Sequence, residues 1–332
     1  MRALLLAIAA ALIAAAPAHA SIVYARGGAH RSVWIADDDG RGARKLVSEG
    51  DAPHISPDGQ AVLYTKGEAG SRPQLREVPA AGGTSKLLLA PVRFGAFAWS
   101  PDGRYVAAQT GPLNGAQKLV LIDRSTGTTR RLAGGAFYGA SFSPDSTQLV
   151  YSRARRDALF PVANLAVAPT AGGPARAITS DGRDQYPLWG PSRIVFDRYR
   201  HPARHGDGPK LDLWLVAPNG SGRRRLTHDK VPFLLTGLIA TAWSADGTRL
   251  LTQFGGQDTT YPVTVDPATG AEHVLGSRSQ GFFASALSHD GSTVLGAIGG
   301  SIFGTRARVV TVPYAGGRAT TLAHGDNADW NR

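Results

Sequence analysis

The chain of 332 residues contains no cysteine. That excludes disulfides, thiol nucleophiles, thiolate metal sites and iron–sulfur clusters, so the fold must be held by burial alone. Glutamate is scarce: Glu49, Glu68, Glu77 and Glu272 are the whole set. No convergent acid–base pair can be drawn from them. Long apolar runs are confined to one place, where Arg2 is followed by an unbroken apolar stretch from Ala3 to Ala16, then Pro17 and Ala18-His19-Ala20. This is the charged, apolar and small-residue cleavage pattern of a secretory signal peptide, and it is short for a membrane span. No Cys follows it to carry a lipid and no twin-Arg pair precedes it. Residues 1–20 are expected to be a signal peptide, leaving 21–332 as a single periplasmic or secreted domain beginning at Ser21.

Negative charge is in short supply. Lys and Arg number 36 against 25 Asp and Glu, a net charge of +11. A basic surface favours acidic partners, either an acidic protein surface, an anionic polymer or a small anion. Export argues against nucleic acid. An equally open reading is that codon composition alone makes the chain rich in Arg and poor in Lys.

What the chain has in abundance is turn chemistry, with 41 Gly and 21 Pro. Ser-Pro-Asp-Gly stands whole at Ser56–Gly59 and Ser100–Gly103. Worn copies stand at Ser143-Pro144-Asp145-Ser146, Gly190-Pro191-Ser192, Ser244-Ala245-Asp246-Gly247 and Ser288-His289-Asp290-Gly291. Proline presets φ at the second position, aspartate bonds back to the turn, and glycine accepts positive φ. The residue before each turn is Ile55, Trp99, Phe142, Trp189, Trp243 or Leu287, with Trp330 in the same place near the C-terminus. Four of the six Trp fall in this slot, which reads as core between neighbouring sheets.

Each turn leads into an alternating strand such as Ala61-Val62-Leu63-Tyr64, and then into a hairpin closed by a short Gly turn. Seven such hairpins recur, from Val33-Trp34-Ile35 with Lys45-Leu46-Val47 to Val309–Val312 with Thr321-Leu322. Only six turns of the first kind precede them. Asp326–Trp330 reads as the missing first strand, completing a sheet begun by Ile22–Ala25. The expectation is an all-β, seven-bladed β-propeller of four-stranded antiparallel blades, closed by pairing of the N- and C-terminal strands, with six blades as the alternative count.

The repeated Trp-Ser-Pro-Asp-Gly followed by a strand resembles the WD40-like PD40 repeat of the TolB-like β-propellers, over nearly the whole mature chain. The resemblance implies an exported propeller. It is to the repeat rather than to a two-domain architecture, because no separate domain is expected between Ala20 and Ile22. The repeat is also similar to that of prolyl-oligopeptidase-like peptidases, whose hydrolase domain implies a Gly-x-Ser-x-Gly elbow that this chain lacks.

Function is expected on the face opposite the Ser-Pro-Asp-Gly turns, where the connections vary in length. Two basic segments from neighbouring blades, one with Arg155 and Arg156 and the other with Arg198, Arg200, His201 and His205, are candidate anion or partner-binding residues. A solvated charge run is the competing reading. His201 and His205 are four apart, but Pro202 and nearby Gly argue for a loop rather than a metal-binding helix, so no metal or cofactor is expected. Asp51, Asp184 and Asp326 open first strands and are expected to line the channel mouth, where a cation or water could bridge Asp51 and Asp326; the competing reading is that each caps a local turn. The apolar segment Val231–Ile239 is expected to cap the channel, with docking of a partner's apolar surface as the alternative. The resulting expectation is a non-catalytic binding or scaffold module, with a propeller enzyme of lactonase or sugar-acid lyase type as the alternative.

Overall fold

A computed structural model describes residues 21–331 apart from 29, 68–71, 94–95, 112–116, 155–161, 201–209, 229, 233–234, 256–258, 279–280, 289 and 301–304. The alternating apolar pattern appears as antiparallel strands stacked radially. β1 (Ser21–Arg26), β2 (Ser32–Asp37) and β3 (Arg44–Val47) form blade 1. Blade 2 holds β4 (Asp51–Ile55), β5 (Ala61–Lys66), β6 (Gln74–Pro79) and β7 (Lys86–Leu89). β8 (Phe97–Trp99), β9 (Tyr105–Thr110) and β10 (Gln117–Asp123) precede the long β11 (Thr128–Phe142), which continues into β12 (Gln148–Ala154), β13 (Ala163–Pro169) and β14 (Arg176–Ala177). Blade 5 holds β15 (Asp184–Trp189), β16 (Ile194–Tyr199), β17 (Leu211–Val216) and β18 (Arg224–Arg225). Blade 6 holds β19 (Gly237–Trp243), β20 (Leu250–Gly255), β21 (Thr260–Val265) and β22 (Glu272–Val274). Blade 7 holds β23 (Phe282–Leu287), β24 (Thr293–Ile298), β25 (Arg308–Pro313) and β26 (Thr320–His324), and β27 (Asp326–Trp330) is the last described strand.

The sheet order β27-β1-β2-β3 places the last strand innermost in the first blade, with Trp330 opposite Ile22 and Asp329 opposite Val23. β11 serves two blades: its first half is the outer strand of blade 3 and its second half the inner strand of blade 4, so these two blades share one seven-stranded sheet. Ala133-Gly134-Gly135 joins the two halves. The link is too short to leave the sheet, and Gly135 takes φ 133° while pairing continues.

The turn motif works as a three-part relay. In the first copy the Ala61 N–H donates to Ser56 Oγ (2.9 Å), the Ser56 hydroxyl donates to Asp58 Oδ1 (2.5 Å), and the Gln60 N–H donates to the same carboxylate oxygen (3.0 Å). The same set recurs at Ser100 and Asp102, and at Ser244 and Asp246. These donors, the serine hydroxyl foremost, hold Asp246 and Asp290 down to about 2.

Apolar clusters join each blade to the next. Val23 and Val33 pack with Ile55 and Val62 between blades 1 and 2, and Val195 and Leu213 with Trp243 and Leu250 between blades 5 and 6. Ile22, Tyr24 and Trp330 pack with Ala286, Leu295 and Val309 between blades 1 and 7. The tryptophan slot is core, as its pattern suggests, and it also carries hydrogen bonds between blades. Trp99 Nε1 donates to His54 O (3.0 Å), Trp243 Nε1 to Leu188 O (3.3 Å) and Trp330 Nε1 to Leu287 O (2.7 Å).

Much of the basic charge is structural. Outer-strand arginines reach across to carbonyls in the hairpin turn of the following blade: Arg44 to Ala80 O, Arg130 to Thr170 O, Arg176 to Pro218 O and Arg224 to Pro267 O. Between blades 2 and 3 the equivalent link is the Glu77–Arg124 ion pair at 2.8 Å.

Candidate functional site at the channel mouth

Each inner strand runs toward its Ser-Pro-Asp-Gly turn, so its first residues open on the opposite, loop-bearing face. Asp51 and Asp326 are both there. Arg31, from the loop before β2, lies between them. Its Nε lies 2.8 Å from Asp51 Oδ2, and its terminal nitrogens contact Asp326. Asn327 Nδ2 donates to Asp51 Oδ1 (2.9 Å) from the same neighbouring strand. Burial works against the Arg31 charge, but hydrogen bonding to Asp326 and the field of both carboxylates outweigh it and raise its pKa. Removing this cation leaves two facing carboxylates on adjoining blades. Arg31→Ala is expected to cost about 1–2 kcal/mol, read as a lowered thermal midpoint, and Asp51→Asn with Asp326→Asn should restore most of it. A full effect in Arg31→Ala without rescue would refute the pairing.

Asp184 and Arg198 lie elsewhere than expected. Asp184 is fully buried rather than lining the channel, and Arg198 is 4 % exposed rather than a rim donor. Both sit on the side of blade 5 that faces blade 4. Residues Asp184, Arg198 and Asp212 are in register across three strands and therefore share a face. The Arg198 guanidinium contacts Asp181, lies 3.6 Å from Asp184 Oδ1 and stacks 4.9 Å over the Trp214 ring. Arg223 adds a second cation to Asp181 at 3.0 Å. Burial raises the Asp184 carboxyl, and burial with the nearby Arg223 lowers Arg198. Arg200 is half-buried and engaged: its Nε donates to Asp212 Oδ1 (2.8 Å), which also accepts from Arg225 (3.0 Å). Arg155, Arg156, His201 and His205 lie outside the described residues. Within Val231–Ile239, Leu235 and Leu238 pack into the core between blades 5 and 6, and Gly237–Ile239 belongs to β19.

Sequence reasoning passed over the exposed rings on the inner strands. Tyr186 on β15 is 40 % exposed and Phe283 on β23 is 43 % exposed. Tyr186 meets Tyr138 edge-to-face at 6.4 Å. It also has φ 48°, a left-handed conformation that costs a bulky residue about 1–2 kcal/mol. Ala52, Gly139 and Asn327 adopt the same region at the same place, three residues before the slot. The bend is thus a recurrent bulge of the inner strand, and no residue type marks it in the sequence.

A second feature recurs beside these bulges. The third residue after the first paired position of a second strand reaches the inner strand of the next blade. Gln109 Nε2 donates to Phe137 O (3.5 Å), Ser152 Oγ to Asp184 O (2.8 Å) and Gln253 Nε2 to Phe282 O (2.8 Å). Gln253 Oε1 accepts from Ala284 N as well (3.0 Å). In blade 5 this latch position is Asp197, fully buried, with the Ala240 N–H directed at it and neither carboxylate oxygen in a well-formed hydrogen bond. Burial pushes its carboxyl well above the ordinary range.

No family model matches the chain. Among solved structures it is similar to TolB from Acinetobacter baumannii, with a TM-score of 0.58 and 16 % identity over 93 % of this chain and 82 % of that one. The chain has the fold of the TolB-like propellers. The same fold aligns with an oligogalacturonate lyase from Vibrio parahaemolyticus (TM-score 0.60, 17 % identity, 82 % of this chain and 76 % of that one). It aligns too with a puromycin-hydrolyzing peptidase from Mycobacterium tuberculosis (TM-score 0.64, 19 % identity), over 93 % of this chain and 54 % of the peptidase. These likenesses concern the propeller itself, a scaffold on which unrelated activities are built.

Proposed function

We propose that this chain is an exported, non-catalytic binding propeller that uses the channel-mouth face to hold a protein partner. The carrying observation is that, among the described residues near the mouth, Asp51 and Asp326 share Arg31, while Tyr186 and Phe283 stand exposed on inner strands. Acid–base chemistry needs a reachable group left uncompensated. Here Asp51 and Asp326 are both engaged by Arg31, and Asp184 is fully buried. Aromatic rings within a rim of paired charge suit a docking surface, where large rings supply the anchoring contacts. The export pattern in residues 1–20 and the fold shared with TolB support the same reading.

Site-specific photo-cross-linking in the producing cell tests this. A photoreactive residue at position 186 or 283 should give a discrete protein adduct in the exported fraction, and one at Asp58 on the opposite face should not. N-terminal sequencing of the exported chain should begin at Ser21. Adducts formed from position 58 instead, or turnover by a stoichiometrically metal-loaded protein, would overturn the reading.

A further inference from the structure

Blade 7 departs from the charge balance of the rest of the molecule. Residues 291–325 contain no Asp or Glu, yet they carry Arg306, Arg308 and Arg318. Several exposed cations elsewhere have acidic neighbours, as Arg104 has Asp123, Arg41 has Asp39 and Lys66 has Glu49. Arg306 and Arg318 have no ion pair among the described residues, and Arg308 donates only to the Thr321 hydroxyl (3.2 Å).

All three arginines line one cleft of about 1070 Å³ between the outer parts of blades 6 and 7. Its floor is apolar, with Phe282, Ile298 and Val312. Its walls carry the hydroxyls of Ser277, Thr305, Thr320 and Thr321, and no carboxylate lines it among the described residues. The cations are spread along its length. Arg306 precedes β25 at the loop face, and Arg318 lies in the hairpin turn beyond the strand's other end. At about 3.3 Å per residue their backbones stand about 20 Å apart. That spread does not suit a single small anion. It suits a chain that presents negative groups at intervals.

We infer that this cleft binds an extended acidic polysaccharide, with guanidinium groups on the acid groups and threonine hydroxyls on the sugar hydroxyls. Guanidinium matches carboxylate or sulfate oxygens in a fork, and the hydroxyl walls favour a sugar chain over an acidic peptide. The site is on the flank of the ring and is independent of partner docking at the channel mouth.

Fluorescence anisotropy with labelled polyuronate oligomers tests this on the mature chain. A long oligomer should bind more tightly than a trimer, and binding should weaken as salt rises. Arg306→Gln with Arg318→Gln should weaken it by about tenfold or more at unchanged thermal midpoint, whereas Arg41→Gln should leave it unchanged. The variant Tyr186→Ala with Phe283→Ala should bind the oligomer normally, which separates this site from the mouth. Equal binding by the double arginine variant, equal binding of the trimer, or equally tight binding of polyglutamate or neutral dextran would overturn the assignment.

Discussion

Trp330→Ala is expected to destabilise the protein by about 3–5 kcal/mol. The indole is 9 % exposed and packs with Ile22, Tyr24 and Leu295, so truncation opens a cavity where the first and last blades meet. It also strips Leu287 O of its donor at 2.7 Å, leaving an under-satisfied carbonyl. Both losses fall on the strand that completes blade 1. Loosening β27 bares the inner edge of β1, and an unpaired edge of this kind invites pairing with other chains. Urea denaturation of Trp330→Ala should therefore show a large fall in midpoint together with aggregation. Trp330→Phe should recover much of the packing and none of the hydrogen bond, falling between the two. A loss below about 1 kcal/mol would mean that the terminal strand contributes little, since buried-tryptophan truncation normally costs several times that.

Asp197→Asn is expected to stabilise the protein at neutral pH and to remove a pH dependence. The Asp197 carboxyl is raised by burial, so the folded state holds a proton that the unfolded state has lost. Its favourable contribution is complete below the unfolded value of about 3.9. It is then lost as pH rises through the folded value, with a slope of up to about 1.4 kcal/mol per pH unit. Gln253 shows what the latch position requires, a donor for a carbonyl and an acceptor for an amide. Protonated Asp197 has both a donor and an acceptor to offer and ionised Asp197 only acceptors, whereas asparagine has both at every pH. Asp184 titrates in the same direction and leaves a residual slope, so the readout is wild type minus variant across a pH series of chemical denaturation. Asp246 and Asp290 act in a separate window: their stabilisation is present above about 3.9 and fades as pH falls toward about 2. A variant with unchanged slope, or one weaker than wild type at neutral pH, would refute the protonated latch.

The fold was readable from the sequence because its determinants are local. Ser56, Pro57, Asp58 and Gly59 settle a hairpin within a few residues, and the slot before each turn names the residue that will be buried. The site was less readable because its state depends on contacts between distant segments. Arg198 and Arg200 look alike in the run Arg198-Tyr199-Arg200-His201, yet register with Asp184 and Asp212 buries one and leaves the other half-exposed. Arg31 gave no local sign that it would join strands at opposite ends of the chain. The basic cleft on blade 7 left a trace in the long acid-free stretch, but only the fold shows that Arg306 and Arg318 share one groove.

The contact between Ser21 N and Asn331 Oδ1, at 2.7 Å, spans 310 positions of sequence. A ribosome makes β1, β2 and β3 first and their inner neighbour last. Through almost all of synthesis the earliest strands thus lack the partner that would lock them. Such long-range pairing slows maturation. It also keeps the earliest strands of the nascent polypeptide pliable until β27 has emerged to pair with β1.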